Sequence, residues 1–443
     1  MTATGAPHLL YVTWGYPPAR GAGRYRALAT SNAFAAAGWD VTVLTVEKSA
    51  FENLTGTDPE LEKSIDPRVT VVRAPYDSSR GESNISLWSR WHVYSPLLWN
   101  FLKAKQTTLI FPETTYGSWK PSLLKAASRI HAAKPVSLVI GTANPNVDFT
   151  PGDFLHKNFG VPYVMDYRDG WHLDVYTGKR VGSRLSRSAR MERRMLASVT
   201  EAWFVNRPIR DWYAAEYPST GSEFHVVSNG FDPSLLQLTA EKKAVGPNDG
   251  LTFGYLGTIY GPIPLRESLE GWRLARTLSP LVARSHIVFR GNLGHYSTPN
   301  AQALALINEF AQDGVSYQGP VSKTEVSGVY NTFDALLLII SKSRFVTSGK
   351  VFEYAATGLP IVALHDPETA ATSVLDGYPH VFPIASVKVE EIANALVAAA
   401  ERAAAVSTSD VAQAREWARR LERDRQILPR VDALTALVKE GTR

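Results

Sequence analysis

The residues with the most chemical promise lie in the run over 348–363, SGKVFEYAATGLPIVA. Ser348 and Gly349 make a small turn and Lys350 follows. Val351, Phe352, Tyr354 and Ala355 then read as a short helix that stops at Gly358, ahead of an apolar strand over 361–364. A helix start leaves backbone N–H groups without intrahelical acceptors, and a lysine beside them makes an anion site. Glu353, one turn further in, is out of place in a bare phosphate pocket but suits a sugar, whose hydroxyls donate to a carboxylate. Together these residues point to a nucleotide sugar. The bland alternative is a solvated helix residue in a strand–helix–strand unit of any α/β protein.

Other runs carry groups of the same kind. The loop over 14–24, WGYPPARGAGR, joins a strand to a helix. Gly21 and Gly23 let backbone amides approach an anion, and Arg24 stands near the positive end of the helix. A dinucleotide-binding turn needs a third glycine, where this chain has Arg26, and a tighter loop than Pro17 and Pro18 permit. Glu47 does end the second strand, where a ribose-holding acid would sit, so an oxidoreductase is weakened and not excluded. Asp166-Tyr167-Arg168-Asp169-Gly170-Trp171 follows a strand, at the carboxyl edge where open sheets bind ligands. It is either a structural ion-pair cluster or a ligand contact. The histidines lack ligand spacing and no Asp-x-Asp occurs, so no metal is expected.

These groups need a scaffold that brings loop residues to one sheet edge. Strands are expected over 8–14, 41–46, 69–73, 136–140, 162–167, 202–205 and 224–227, with helices between them, a βαβ pattern. Ser228-Asn229-Gly230-Phe231-Asp232-Pro233 is strong turn chemistry. The alternation restarts with strands over 251–256, 286–290, 315–318, 335–339 and 361–364, and helices follow from 387 onward. Residues 86–120 interrupt the rhythm with Trp88, Trp91, Tyr94, Trp99, Phe101, Phe111, Tyr116 and Trp119. Most of these aromatics are expected to pack into a satellite core. Over 184–194, Arg184, Arg187, Arg190, Arg193 and Arg194 face only Glu192. That stretch is either a solvated helix face or a surface for anionic lipid headgroups.

The run around Lys350 resembles the signature of glycosyltransferases of the GT-B fold, most closely glycosyltransferase family four. The resemblance implies two facing Rossmann-like domains with a cleft between them. Their expected bounds are 1–230 on the acceptor side and 231–415 on the donor side, with a helix over 416–443 packing back on the first domain. It gives Lys350, with Ser348 and Gly349, to the donor diphosphate and Glu353 to its ribose. The turn at Gly257 and Thr258 resembles the family's loop beside the diphosphate. Arg266 stands in for a missing Arg/Lys pair, and Arg290 ends a strand on the base or phosphate side. The loop with Gly21, Gly23 and Arg24 would touch phosphate and acceptor. A bacterial subgroup carries D-x-R-D-x-W, which assigns Arg168 and Asp169 to catalytic contacts with sugar or acceptor. The family's second glutamate is replaced here by Phe345, which leaves the sugar-proximal contact unassigned.

What the resemblance implies is a metal-independent, retaining transfer from a nucleoside-diphosphate sugar, a co-substrate, to a hydroxyl acceptor. The acceptor would be a cell-envelope glycan, a lipid-linked sugar or a small glycoside. The rivals are a GT-B epimerase or coupling enzyme, and a non-catalytic nucleotide-sugar-binding partner. At 443 residues the chain is too long for one typical core. It has no cysteine, which excludes thiol nucleophiles, and its net charge of +5 shows no nucleic-acid-binding interleaving of aromatic and basic residues. The apolar runs are far shorter than a membrane span and Met1 to Pro7 shows no leader pattern. The expected location is therefore cytoplasmic, or peripheral to the inner membrane face through the arginine stretch.

Overall fold

Runs such as LLYV, after His8 in the first strand, and ALLLI are apolar at every position, as strands covered by helices on both faces must be. The computed structural model describes residues 5–19, 22–54, 56–81, 84–218, 221–239, 246, 248–259, 261–294, 300–322, 325–340 and 343–441. The chain forms two units. One comprises Met1–Asp174, Arg180–Ser228 and Ile427–Arg443; the other comprises Val175–Lys179 and Asn229–Gln426.

The first unit holds a parallel sheet of β1 (His8–Val12), β2 (Asp40–Val46), β3 (Val69–Ala74), β4 (Leu138–Thr142), β5 (Tyr163–Tyr167), β6 (Glu201–Phe204) and β7 (Glu223–Val226). Its spatial order is β3-β2-β1-β4-β5-β6-β7. Tyr11, Phe34, Trp39 and Trp203 are in its core. The helix Arg423–Gly441 adds Ile427, Val431, Leu434 and Val438 to that core, at the spacing of one helical face.

The second unit holds β8 (Thr252–Leu256), β9 (His286–Arg290), β10 (Val315–Tyr317), β11 (Ala335–Ile339), β12 (Ile361–Leu364) and β13 (Val381–Pro383) in the order β10-β9-β8-β11-β12-β13. Phe253, Trp272 and Leu396 lie in one of its cores, and Leu336, Phe352 and Tyr354 in another. In each sheet the order reverses once, between β1 and β4 and between β8 and β11. Open parallel sheets take ligands beyond the carboxyl ends of their strands at such points.

Two features differ from the sequence reading. β13 was not expected: three residues ending in proline are too short to show alternation, and they sit at the sheet edge, where a proline is tolerated. The aromatic segment packs inward only in part: Trp88 and Tyr116 are half-buried, the first stacked on His92 and the second set edge-on to Trp14. Trp99, Phe111 and Trp119 are buried, but Trp91, Tyr94 and Phe101 are exposed, because the segment folds into helices with one face left outward.

Candidate functional site

In the second unit, Gly257 and Thr258 leave the end of β8, and the loop after β11 leads into the helix Lys350–Thr357. Both motifs therefore meet at the reversal point of that sheet. Lys350 reaches across it. Its ammonium donates to the Thr258 carbonyl oxygen at 2.9 Å and to the Tyr255 hydroxyl, and lies 4.4 Å from the centre of the Tyr255 ring. Burial lowers its pKa to about 7, against which Glu353 acts weakly in the other direction. The cavity beside the ammonium, about 20 Å³, has room for one water. Gly257 has φ +137° and a Cβ there would fall 2.2 Å from Lys350 Cε, so the lysine lies directly on a residue that has to be glycine.

One turn along the helix, Glu353 accepts a hydrogen bond from the Tyr330 hydroxyl at 3.0 Å, which fixes the carboxylate at the helix surface. Ser348 precedes the helix and its hydroxyl accepts from the Lys350 backbone N–H at 3.4 Å; Gly349 is the residue that caps it. Phe345, at the position of the missing acid, is buried. The Val175–Lys179 segment lies against it: Gly178 has φ +69°, and a Cβ there would come 2.7 Å from the ring. Ser343 donates to the Val175 carbonyl and also accepts from the Phe345 N–H, so this contact is tied on both sides.

In the first unit, the start of the helix Ala22–Ala36 after β1 and the loops after β4 and β5 carry the other candidates. Arg168 donates to the carbonyl oxygens of Ala143 and Asn144, the latter at 2.7 Å, and its guanidinium lies so close to Gly23 that a Cβ there would overlap it. Arg24 lies on Gly15 in the same way, and its buried Nε has no partner. Burial lowers the Arg24 pKa, and the like charge of Arg168 lowers it further. Two guanidiniums held close, one with an unmet donor, are receptive to an anion. Asn144 donates to Asp169 at 3.2 Å. Gly21 lies outside the described residues.

Residues 20–230 match the family described as Glycosyl transferase 4-like domain. The chain has the GT-B fold. Among solved structures, sucrose-phosphate synthase from Thermosynechococcus elongatus is similar at a TM-score of 0.59, with 14% identity over 98% of this chain and 100% of that one. HepE from Anabaena, in complex with UDP and glucose, is similar at 0.52, with 13% identity over 97% and 99%. A UDP-N-acetylglucosamine 2-epimerase described as putative, from Listeria monocytogenes, is similar at 0.55, with 11% identity over 98% of each chain. At such identities the likeness is one of fold. No curated protein matches the chain by sequence.

Within the second unit, Gly257, Thr258, Ser348, Gly349, Lys350 and Glu353 gather around one helix start. Arg266 does not join them: on the helix Leu265–Leu278 it is exposed and pairs with Glu309 at 3.2 Å and Glu270 at 3.8 Å. Arg290 lines a separate cavity of about 310 Å³ with His286, Gln318 and Phe333, where it donates to Gln318 at 3.4 Å. Asp166 is not a ligand contact. It receives both arms of Arg26, at 2.8 and 2.6 Å, and the Thr142 hydroxyl at 3.0 Å, all buried. The sequence reading missed Tyr255 and Asn144. Tyr255 stands in β8, two residues before Gly257; Asn144 stands in an Asn/Pro turn after β4, the kind of strand-end punctuation that marks a loop facing a site.

Proposed function

We propose that the chain moves a sugar from a nucleoside-diphosphate sugar to a hydroxyl acceptor, retaining the anomeric configuration and using no metal or resident cofactor. The observation that carries this reading is the Lys350 ammonium seated on the Thr258 carbonyl at the reversal point of the second sheet. A diphosphate there offers this lysine stronger acceptors than a carbonyl and a phenol. Lys350, charged by that contact, would stabilise the leaving diphosphate as negative charge develops on it. Glu353, oriented by Tyr330, would accept from the ribose hydroxyls. In the first unit, Arg168 and Asp169 would meet the transferred sugar or acceptor, and Gly21, Gly23 and Arg24 a phosphate or other anion.

The likeness to HepE, solved with UDP and glucose, supports a nucleotide-sugar donor. Among the described residues, the one trio with metal-ligand spacing is Glu201, Glu223 and His225, and it already holds a cation: Arg430 lies 2.8 Å from His225 and 3.3 Å from Glu201. The acceptor would be a cell-envelope glycan, a lipid-linked sugar or a small glycoside. Phe345 in place of the family acid, together with the epimerase likeness, favours a second reading in which the same donor is rearranged without an acceptor. Incubating the protein with nucleotide-sugar donors separates the two. Transfer requires acceptor-dependent release of nucleoside diphosphate and a glycoside product. Epimerised sugar nucleotide formed without acceptor contradicts the proposal.

A further inference from the structure

Soluble surfaces usually scatter their apolar side chains, but residues 85–110 concentrate them. Of the eighteen large apolar side chains exposed among the described residues, ten lie between Ile85 and Leu109. The helix Pro96–Ile110 buries Trp99 and Thr107 and turns Leu97 (89% exposed), Leu98, Phe101 and Leu102 outward. Their spacings of one, three and four make a single stripe. The short helix Arg90–Tyr94 ahead of it adds exposed Trp91 and Tyr94.

Charge decides what covers this stripe. Residues 85–110 contain no Asp or Glu, while Arg90, Lys103 and Lys105 are all basic. Lys105 lays its ammonium 4.6 Å from the centre of the Phe101 ring, keeping its charge at the margin of the apolar surface. Near the C-terminal end of the helix, Arg187 donates to the Thr108 carbonyl oxygen at 2.9 Å, which brings the arginine helix Arg187–Leu196 alongside. Exposed Arg190 and Arg193 extend the basic margin, whereas Arg184 and Arg194 are taken up by Glu216 and Asp153.

Cores of protein–protein interfaces are depleted of lysine, whereas aromatic and aliphatic faces edged by Lys and Arg suit an anionic lipid interface. No helix among the described residues is long and apolar enough to cross a membrane, so such contact would lie along the surface. We propose that the outer face of the helix Pro96–Ile110, with Trp91 and Tyr94, seats in the headgroup region of an anionic bilayer, and that Lys105, Arg187 and Arg190 supply its charge. The apolar helix gives the anchoring area; the arginine helix contributes the field that draws it there.

Flotation of the full chain with vesicles of phosphatidylcholine, alone or mixed with phosphatidylglycerol, tests this. The wild-type chain should float with the mixed vesicles and much less with phosphatidylcholine alone. Leu97→Glu with Phe101→Glu should cut that binding about tenfold or more, since charge replaces the buried apolar area. Lys105→Glu with Arg190→Glu should weaken binding and flatten its salt dependence. Because these side chains are exposed, both double variants should melt like wild type. Absence of flotation on mixed vesicles overturns the proposal, as does binding that neither double variant changes. A wild-type dimer that Leu97→Glu with Phe101→Glu turns into a monomer also overturns it, assigning the face to a second copy.

Discussion

An ammonium held between a phenol and a carbonyl loses part of its hydration, which is why Lys350 titrates near 7 and not near 10.5. The sign of the consequence is fixed. Above pH 7 most of the ligand-free protein carries a neutral Lys350, and a diphosphate must draw a proton onto it to bind. Calorimetry at pH 8, in buffers of different ionisation heat, should therefore show uptake approaching one proton per nucleoside diphosphate bound, and little uptake at pH 6. Affinity should fall with rising pH by up to about tenfold per unit. In Lys350→Met the uptake should vanish and affinity should drop by about 1.5–3 kcal/mol. Equal uptake in that variant would move the proton to another group. Glu353 makes a separable prediction. Glu353→Ala should weaken nucleoside and nucleoside diphosphate alike and leave inorganic pyrophosphate unchanged, because its proposed partner is ribose; pyrophosphate binding weakened to the same degree would contradict that role.

At the scale of elements, the loops at the carboxyl ends of the strands decide what reaches each site. Lys350 and Glu353 were legible because a helix start, a lysine and an acid one turn on are local features. Arg26 was legible only as the glycine that is absent. Its partner Asp166 lies 140 residues away, and no local pattern announces a buried pair made between the helix Ala22–Ala36 and β5. Tyr167 ends β5, so Arg168 leaves the sheet while Asp166 stays within it; the two acids flanking that arginine have different fates for this reason. Arg26→Met should strand the Asp166 carboxylate in the core and cost about 3–5 kcal/mol in urea unfolding, well beyond a surface change. A loss under 1 kcal/mol would mean that Thr142 alone satisfies Asp166. Arg266 illustrates the opposite error: proximity in sequence to the Gly257 turn suggested a phosphate contact, but the helix that carries it turns it toward Glu309.

Over the whole molecule, the two parallel sheets were readable from the alternation of apolar runs with helical stretches, since a run buried on both faces has few other ways to fold. The short edge strand β13 and the placement of VYTGK, residues Val175–Lys179, with the second unit were not. That placement rests on Ser343 and Phe345, well over a hundred residues further on, a contact that sequence periodicity does not encode. The outward face over 85–110 was hidden for a related reason: an aromatic count gives no direction, and only the helical phase separates Trp99 inside from Phe101 outside. The central claim, a nucleoside diphosphate held through Lys350, is tested most directly by thermal unfolding of wild type and Lys350→Met with UDP, GDP, dTDP and ADP. At about a hundredfold its dissociation constant, one of these should stabilise the wild-type fold by about 2.7 kcal/mol and the variant far less. No response from the wild type, or an equal response from both proteins, would contradict it.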